Sequence, residues 1–522
     1  MSTSATASIS SPPSPQLPER FEPVPDFLTA AEPRLVWQRF NELRQIPRPS
    51  KAEQAAVRWV ENWAADHEFQ LRRDARGNLA VDVPASVGRE KAPKVVLQAH
   101  LDMVCEKNSD TEFDFLKDPI RLLRDGDLIT ADGTTLGADN GIGVAGMMAM
   151  AEDPEVIHGP LELLFTLDEE TGLNGVRDLD PALVTGDLLI NLDTEDDHML
   201  TVGSAGAQGV SLSFAVTREA EAPAALSLLR LRVTGATGGH SGADIHLGRV
   251  NANKVLGEIL AALHYKAPGS AIVDLQGGSA RNVIPRESEV LLWAEPRTAA
   301  AVVEKARGVM RQRYAATDPH LQIELLEEDS EAKPAPWTAE TTEAILLLLR
   351  RLPNGRLKRS ERFPELTQTS ANLAVMHCGG ETKQDGTVEE EGFHILYSCR
   401  SSVMEELFAT TERIAIIARE LGAEAEILAS YPSWELPENS ALLEICRREF
   451  QRILDQEPEV TAVHGGLECA VLGDKVPRLD VISLGPNIAN PHSPDEWVSI
   501  ASVEKVFQRL LPGLLDALSA ES

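Results

Sequence analysis

Cysteine and positive charge are both scarce in this sequence, and each shortage excludes a class of protein. The 522 residues include five cysteines, none of them in a C-x-x-C pair: Cys105, Cys378, Cys399, Cys446 and Cys469. This odd set argues against a disulfide framework or a structural zinc knuckle, and it indicates a reducing compartment, the cytoplasm. Lys and Arg total 49 against 81 Asp and Glu, a net charge of −32. Such acidity disfavours nucleic acids and anionic membranes as partners; it either serves solubility alone or also attracts divalent cations.

Long apolar segments are missing as well. No uninterrupted apolar run approaches the roughly 18–20 residues that cross a bilayer, so the sequence predicts no membrane span. Residues 1–32 begin with a stretch rich in Ser, Thr, Ala and Pro that has no apolar centre. We therefore expect a disordered N-terminal tail rather than a signal peptide.

From residue 33 onward, apolar strands alternate with amphipathic helices. Continuous apolar runs such as Lys94–His100 and LELLFTL predict buried strands, and the intervening helices predict a largely parallel sheet covered by helices. Ser50 is the expected N-cap of the second helix. The same pattern returns from residue 433 to 522, so we predict one α/β domain formed by residues 33–206 and 433–522.

Residues 207–432 differ in character and predict an inserted α+β domain, a lid. Two segments within it, beginning at SEVLLWAEP and GFHILYSCR, each predict strand, helix and strand, and an earlier helix precedes each one. One explanation is a duplicated unit of about 110 residues, at about 207–325 and 326–432. The alternative is a coincidence between two common patterns. The run SLLRLRVT predicts an edge strand.

Five potential metal ligands lie at or just after the ends of predicted strands. They comprise two imidazoles and three carboxylates: His100, Asp139, Glu170, Asp193 and His492. Each one alone has an ordinary explanation, since an Asp after a strand most often belongs to a turn. Their common place at the carboxyl edge of one sheet favours a joint role. Such a set suits two zinc ions bridged by one carboxylate, which would lower the pKa of a shared water towards about 7.

Two further acids have predicted roles beside these ligands. Residues i and i+2 of a strand point to the same side, so Asp102 could accept a hydrogen bond from the His100 nitrogen that does not bind metal. In the run Asp168-Glu169-Glu170, one acid can ligate a metal and another can act as general base. We assign Glu170 to the metal and Glu169 to the base. The alternative is a solvated acidic loop.

Eight short motifs carry a resemblance to a known family. They follow one another in this order: HLDMV, LGADNGIG, DEETGLNGV, NLDTED, GGHSGADIHLGRVNANK, RNVIPRE, HGGLECA and SLGPNIANPHSPDE. From about residue 33 to the end, the sequence resembles the aminoacyl-histidine dipeptidases, also known as cytosol nonspecific dipeptidases. These belong to the two-zinc peptidase clan that includes carnosinases, peptidase T and aminoacylases.

The resemblance implies a division of the ligands between two ions. Asp139 would bridge the ions, and the peptide bond after it would be cis. The remaining ligands would form two pairs, His100 with Asp193 and Glu170 with His492. The α/β domain would then be the catalytic domain, with Glu169 as base and Asp102 as the partner of a ligand.

The resemblance also implies roles for residues outside the metal ligands. His240 would stabilise the oxyanion of the tetrahedral intermediate from the lid. Asn282 and Arg400 would hold the terminal carboxylate of a substrate, and Glu468 would hold its amino group. The alternatives are a turn residue for His240, a surface arginine for Arg400 and a helix-start acid for Glu468.

Together these features predict a cytoplasmic metallo-dipeptidase that cleaves Xaa-His and other unblocked dipeptides. Two divalent ions are expected, zinc first, with manganese or cobalt as alternatives. Within the same clan, the alternatives are an N-acyl-amino-acid deacylase and a tripeptide aminopeptidase; a more remote one is a non-catalytic metal- or peptide-binding protein. The expected partner is a small dipeptide, and the chain would act as a monomer or a homodimer. In a monomer, the second lid copy would stand in for the lid of a partner.

Overall fold

The computed structural model describes residues 15–328, 333–379, 392–435 and 439–520, so the first 14 residues of the predicted tail lie outside the described residues. The chain divides into two compact units. The first comprises Met1–Val202, Trp434–Thr461 and Leu467–Ser522, and the second comprises Gly203–Ser433 and Ala462–Gly466. None of the helices in the described ranges is both long and apolar enough to cross a membrane.

The first 200 residues supply helices and strands in alternation. The helices are α1 (Arg34–Leu43), α2 (Gln54–Asp66), α3 (Ala138–Glu152) and α4 (Asn174–Arg177). The strands are β1 (Gln70–Arg73), β2 (Leu79–Val83), β3 (Val95–His100), β4 (Leu122–Asp125), β5 (Leu128–Ala131), β6 (Leu161–Thr166), β7 (Leu188–Asn191) and β8 (Met199–Ser204). Short 3-10 helices occur at Asp26–Leu28 and Pro181–Leu183.

The middle of the chain contains long strands and four helices. The strands are β9 (Gly206–Ala215), β10 (Ser227–Thr234), β11 (Ala271–Gly277), β12 (Ser288–Ala294), β13 (Gln322–Glu327), β14 (Gly355–Arg359), β15 (Thr367–Gly379), β16 (Gly392–Ser401) and β17 (Glu424–Tyr431). The helices are α5 (Ala252–Lys266), α6 (Pro296–Arg313), α7 (Ala339–Arg351) and α8 (Met404–Glu420), with a 3-10 turn at Ile245–Leu247.

The last ninety residues return to alternating elements. The strands are β18 (Trp434–Glu435), β19 (Glu459–Val463), β20 (Asp480–Ser483), β21 (Ile488–Ala489) and β22 (Trp497–Ser499). The helices are α9 (Ala441–Leu454), α10 (Glu468–Lys475), α11 (Ile500–Glu504) and α12 (Leu511–Ala520), and a π-helical segment at Lys505–Leu510 joins the last two.

A large sheet with a parallel centre organises the first unit. Its strand order is β1-β2-β6-β3-β7-β20-β8-β18, and β19 pairs with β8. Strands β6, β3, β7 and β20 are mutually parallel, whereas β2 and β8 flank them in antiparallel pairs. All six residues of β3 and of β6 are buried, as expected for apolar strands covered on both faces. The predicted fold class is confirmed. A smaller sheet has the order β21-β22-β5-β4.

Two local predictions in the first unit need correction. Ser50 is not a helix cap, because α2 begins at Gln54 with Glu53 in the N-cap position. The Ser50 hydroxyl instead donates a hydrogen bond to Asp102 at 2.7 Å. Within the segment predicted as a tail, Leu28 is only 1% exposed, so ordered packing begins before residue 33.

The second unit is built on an antiparallel sheet with the order β13-β10-β12-β11-β15-β16-β9-β17, and β14 pairs with β15. Strand β10 pairs with both β12 and β13, so the prediction of an edge strand is wrong. In the structure, Arg230 and Arg232 share one face of the sheet and form ion pairs with Glu289, and Arg230 also pairs with Glu328.

The strand order of this sheet is symmetric about the junction between β11 and β15. The strand-helix-strand segments β12-α6-β13 and β16-α8-β17 take equivalent places on either side, and β10 corresponds to β9. Strand β9 precedes β10 in the chain but pairs with β16 and β17, so the two halves are not consecutive in sequence. The symmetry is the one a duplicated unit would have, and duplication itself stays a prediction.

Candidate metal centre

Three neighbouring parallel strands of the first unit deliver polar side chains at their carboxyl ends. His100 is the last residue of β3, Glu170 follows β6, and Asp193 follows β7. Asp139 lies in the first turn of α3, and His492 lies between β21 and β22. The loops after parallel strands meet at one edge of the sheet, which explains how ligands far apart in sequence come together.

The five predicted ligands form two groups that share Asp139. In one group, His100 Nε2 lies 3.1 Å from Asp139 Oδ1 and 3.6 Å from Asp193 Oδ1. In the other, His492 Nε2 lies 3.0 Å from Glu170 Oε2 and 3.4 Å from Asp139 Oδ2. The candidate ligand atoms of each group lie within 4.8 Å of one another. The two oxygens of Asp139 therefore face different partners, as a bridging carboxylate requires.

The residues present fit a pair of divalent cations. Imidazole and carboxylate groups are the ligands that zinc and similar ions prefer. Glu170 Oε1 is buried and has no hydrogen-bond partner among the described residues. A buried carboxylate oxygen without a partner is costly unless a cation satisfies it. The peptide bond between Asp139 and Asn140 is cis, as the resemblance implies.

Crowded carboxylates give the centre an unusual electrostatic character. Burial raises the pKa of Glu169 well above its usual range, and the charge of Glu170 raises it further. Burial and the charge of Asp139 also raise the pKa of Glu170. Burial acts on Asp139 in the same direction, but hydrogen bonds with His100 and His492 outweigh it and lower its pKa. A site in which like charges are forced together favours cations.

Asp102 connects the His100 strand to the loop that carries Glu169 and Glu170. Its Oδ1 lies 3.4 Å from His100 Nδ1, on the side of the ring opposite Asp139. The carboxylate also accepts hydrogen bonds from the backbone N–H of Glu169 at 3.0 Å and of Glu170 at 3.2 Å. Asp102 thus contacts the His100 imidazole and fixes the backbone of the two acids.

Glu169 lies beside both ligand groups. Candidate ligand atoms of Glu169, His100 and Glu170 are all within 4.8 Å of one another. The residue predicted to be the base therefore lies close to one member of each group of candidate ligands.

Glu468 begins α10 and is fully buried in the same unit. Its Oε2 accepts hydrogen bonds from Gln98 Nε2 and Thr166 Oγ1, both at 2.6 Å. Gln98 precedes His100 by two residues, and Thr166 ends β6. Burial raises the pKa of Glu468 to about 7, against the opposing charge of His100. Glu468 is a helix-start acid, and its neighbours also connect it to the ligand strands.

The second unit holds the three predicted lid residues. The His240 and Asn282 segments are joined by a hydrogen bond from Ser241 N to the Asn282 carbonyl at 2.7 Å. His240 Nδ1 accepts a hydrogen bond from the backbone N–H of Ala243, which leaves Nε2 as the protonated nitrogen of the neutral ring. Arg400 is 7% exposed, and its Nη2 lies 3.5 Å from His240 Nε2. The Arg400 guanidinium and the His240 ring therefore lie next to each other in this unit.

Arg400 is held by residues that the sequence did not single out. Its Nη1 donates a hydrogen bond to Tyr431 Oη at 2.8 Å. His464, from the HGGLECA motif, is 7% exposed and its Nε2 lies 2.8 Å from Ser370 Oγ. Burial and the charge of Arg400 lower the pKa of His464 to about 3, so this ring is neutral. Arg400 is thus not a surface arginine.

Residues around the metal centre were also missed by sequence reasoning. Asn140 Nδ2 donates to Asp193 Oδ1 at 2.7 Å. Glu496 and Arg48 bind the backbone around Asp139, as described below. The position of Asn140, directly after a predicted ligand, was a usable signal. Glu496 lies four residues after His492, but no strand or helix period marks it, and Arg48 lies far from every motif in the sequence.

The fold and the centre define a metallohydrolase of the peptidase class. The chain matches the family model described as Peptidase family M20/M25/M40 over residues 96–511, and it therefore belongs to this family. It is 35% identical over 497 residues to the cytosol non-specific dipeptidase of Escherichia coli (strain K12), a match that covers 95% of this chain and 99% of that protein. The predicted resemblance is confirmed, and the protein is a metal-dependent enzyme that hydrolyses peptide bonds.

Solved structures agree with this assignment. The aminoacylhistidine dipeptidase from Vibrio alginolyticus superposes with a TM-score of 0.79 at 34% sequence identity, covering 94% of this chain and 98% of that chain. The aminopeptidase PepT from Bacillus cereus gives a TM-score of 0.58 at 15% identity, covering 94% and 99% of the two chains, and shows similarity of fold alone.

Proposed function

We propose that this chain hydrolyses unblocked dipeptides, Xaa-His dipeptides among them, with two divalent ions and Glu169 as general base. The observation that carries the proposal is the convergence of five ligand side chains into two groups that share Asp139, with Glu169 beside them. Similarity over nearly the whole length to a non-specific dipeptidase and an aminoacylhistidine dipeptidase supports dipeptides as the substrate class.

The proposed ligands divide as the two groups do. His100 and Asp193 would hold one ion, Glu170 and His492 would hold the other, and Asp139 would be shared between them. Divalent ions bound in this way lower the pKa of water towards about 7 and polarise a carbonyl group. Zinc suits this set, with manganese or cobalt as alternatives.

Glu169 is the proposed proton carrier. One oxygen of its carboxylate takes a proton from the attacking water and passes it to the nitrogen of the leaving amine. Asp102 holds the backbone of Glu169 by a 3.0 Å hydrogen bond to its N–H, which limits movement of the base between the two transfers. Asp102 would also keep the His100 ring oriented through its 3.4 Å approach to Nδ1.

Residues of the second unit are proposed to bind the substrate. The Arg400 guanidinium holds the terminal carboxylate through a charged hydrogen bond, with Asn282 as a second donor. His240 Nε2–H donates to the carbonyl oxygen as negative charge develops there. The contacts of His240 Nδ1 with Ala243 and of Arg400 with Tyr431 support these roles, because they leave the donors suitably oriented.

In the first unit, Glu468 is proposed to bind the free amino group of the substrate. Its Oε1 is buried and has no partner within the described part of the chain. A carboxylate oxygen of this kind can accept a hydrogen bond from an ammonium group. A preference for a free amino group would exclude acylated substrates.

The test combines metal removal with matched substrates. Protein treated with a chelator should lose turnover of Ala-His and recover it when Zn²⁺ or Mn²⁺ is added back. N-acetyl-Ala-His differs only in its blocked amino group, and Ala-Ala-His differs by one residue; both should be cleaved much more slowly than Ala-His. Cleavage of only the acylated or only the longer compound, measured by chromatography of products, would refute the dipeptide proposal.

A further inference from the structure

Glu496 binds the loop that carries Asp139 through four backbone N–H groups. Its side chain is 2% exposed. Oε2 accepts hydrogen bonds from Leu136 N at 2.7 Å and Gly137 N at 2.9 Å. Oε1 accepts from Ala138 N at 2.8 Å and Asp139 N at 3.2 Å. One carboxylate therefore satisfies four consecutive N–H donors, the last of them on Asp139 itself.

Arg48 binds the same loop from its carbonyl side. Its guanidinium is buried, and Nη2 donates to the carbonyl of Gly137. Nη1 donates to the carbonyls of Leu101 at 3.0 Å and Asp102 at 2.7 Å. Arg48 thus joins the segment after His100 to the segment before Asp139.

The glycines of the LGADNGIG motif make room for this arrangement. Gly137 has a φ of +69°, a region that disfavours other residues, and a Cβ there would lie 2.5 Å from Arg48 Nη2. A Cβ at Gly141 would lie 2.7 Å from the same nitrogen. The glycines of this motif therefore leave the space that the Arg48 guanidinium occupies beside Asp139.

We propose that Glu496 and Arg48 are positioning residues that set the metal affinity of the centre by fixing the Asp139 loop from both sides. The inference rests on the metal centre of the proposed function. Asp139 belongs to both ligand groups, so displacement of its loop weakens both ion positions. Glu496 also follows His492 by four residues and so anchors the segment that carries this ligand. Metal affinity should therefore fall more at the ion position of Glu170 and His492 than at that of His100 and Asp193.

Outer partners of metal ligands typically change metal affinity by about 10–100-fold when they are mutated. Glu496→Gln keeps one acceptor oxygen but turns an amide N–H₂ towards the loop donors, and Glu496→Ala removes both acceptors. The dissociation constants should therefore rise in the order wild type, Gln, Ala. Arg48→Lys keeps the charge but cannot reach three carbonyls in the same planar arrangement, and it should also raise them.

Glu162 provides a matched control in the same unit. It is fully buried in β6, and its carboxylate binds Arg72 at 2.7 Å and the backbone N–H of Thr185 at 3.0 Å. It lies near the start of β6, whereas the metal ligands follow the strand ends. Glu162→Gln disturbs a comparable buried carboxylate without touching the Asp139 loop.

The experiment titrates metal-free wild-type, Glu496→Gln, Glu496→Ala, Arg48→Lys and Glu162→Gln proteins with Zn²⁺ by calorimetry, and measures their thermal unfolding without metal. We expect two sites in the wild type, a 10–100-fold rise in Kd for Glu496→Gln, and Kd values within about twofold of wild type for Glu162→Gln. The Co²⁺ absorption spectrum should change in the Glu496 variants and not in the control.

Two outcomes would overturn the inference while leaving the proposed function intact. One is wild-type Kd values in both Glu496 variants, with stability loss alone. The other is an equal loss of affinity in Glu162→Gln, which would make the effect one of general stability. A wild-type protein that binds no pair of ions would instead refute the proposed function.

Discussion

The two units differ in the polar groups that they bring together. The unit built on the parallel sheet gathers carboxylate oxygens at its candidate metal centre, whereas the unit built on the antiparallel sheet gathers hydrogen-bond donors near Arg400. Near the candidate metal centre of the first unit, the buried atoms without partners in the described part of the chain are the acceptors Asn140 Oδ1, Glu170 Oε1 and Glu468 Oε1 together with one donor, Arg48 Nε. In the second unit, Arg400 Nε and Gln368 Nε2 are buried donors in the same condition, and Asn253 Oδ1 is an acceptor. The first arrangement attracts cations and the second attracts anions.

The pKa values follow the same contrast. Burial raises the pKa of Glu468 to about 7 in the first unit, whereas burial and the charge of Arg400 lower the pKa of His464 to about 3 in the second. The surroundings keep His464 neutral near pH 7, whereas Glu468 releases its proton only near that pH.

The largest effect is expected for the base of the oxygen-rich region. Glu169→Gln should lower kcat on the order of 10³–10⁴-fold, because proton transfer is lost while the ligands remain. Metal content by elemental analysis should stay at the wild-type level. Glu155 is exposed in the same unit, so Glu155→Gln serves as the control. A Glu169→Gln protein with near-normal kcat would remove Glu169 from the mechanism.

The next largest effect is expected in the pH dependence of the free energy of unfolding, through Glu468 of the first unit. Folded Glu468 keeps a proton up to about pH 7, whereas an unfolded Glu releases it near 4.5. The unfolded state binds fewer protons at this residue in this window, so the contribution of Glu468 to stability falls as pH rises from about 4.5 to 7, by about 3 kcal/mol. Denaturant unfolding of metal-free wild type and Glu468→Gln at several pH values should show this slope in the difference between the two free energies of unfolding. Parallel slopes would contradict it.

The opposite slope is expected for the second unit. His464 has a folded pKa of about 3, against an ordinary value of 6.5, so the unfolded state binds the extra proton as pH falls. Stability should drop as pH is lowered below about 6.5, and by about 2 kcal/mol between pH 6.5 and 5. His464→Gln should lack this contribution in denaturant titrations. An unchanged acid slope in that variant would show that the ring is not a buried neutral group.

The smallest effect tests anion binding directly. Arg400→Lys keeps the positive charge but loses the planar fork, and it should raise KM for Ala-His by about tenfold. The dipeptide amide lacks the terminal carboxylate, so its poorer kcat/KM should be nearly equal in wild type and variant. A similar loss of kcat/KM for both substrates in the variant would mean that Arg400 does not bind the terminal carboxylate.

The α/β fold could be predicted because continuous apolar segments such as those of β3 and β6 mark strands buried on both faces. Of the five candidate ligands, His100, Glu170 and Asp193 lie at or after the ends of β3, β6 and β7, as predicted, whereas Asp139 lies in the first turn of α3 and His492 in the loop between β21 and β22. The structure brings all five side chains together, and their role as ligands stays a prediction. Asp102 was predictable from its two-residue spacing to His100. These signals are local, since each depends on a few neighbouring residues.

The remaining features depend on contacts that no local pattern records. Ser50 was predicted as a helix cap but binds Asp102, and β10 was predicted as an edge strand but pairs on both sides. Glu496 binds backbone N–H groups, which are present at every residue except proline and so leave no trace in the partner's sequence. Residues that act through the backbone of a distant loop can be found only once the chain is folded.

The bonds from Glu496 to residues 136–139 span 357 to 360 positions of sequence. The chain must therefore be synthesised at least as far as residue 496 before this loop acquires its carboxylate. A fragment that ends before residue 492 would carry the other four candidate ligands without His492 or Glu496. A centre with all five candidate ligands and a fixed Asp139 loop would then form only in chains that extend past residue 496.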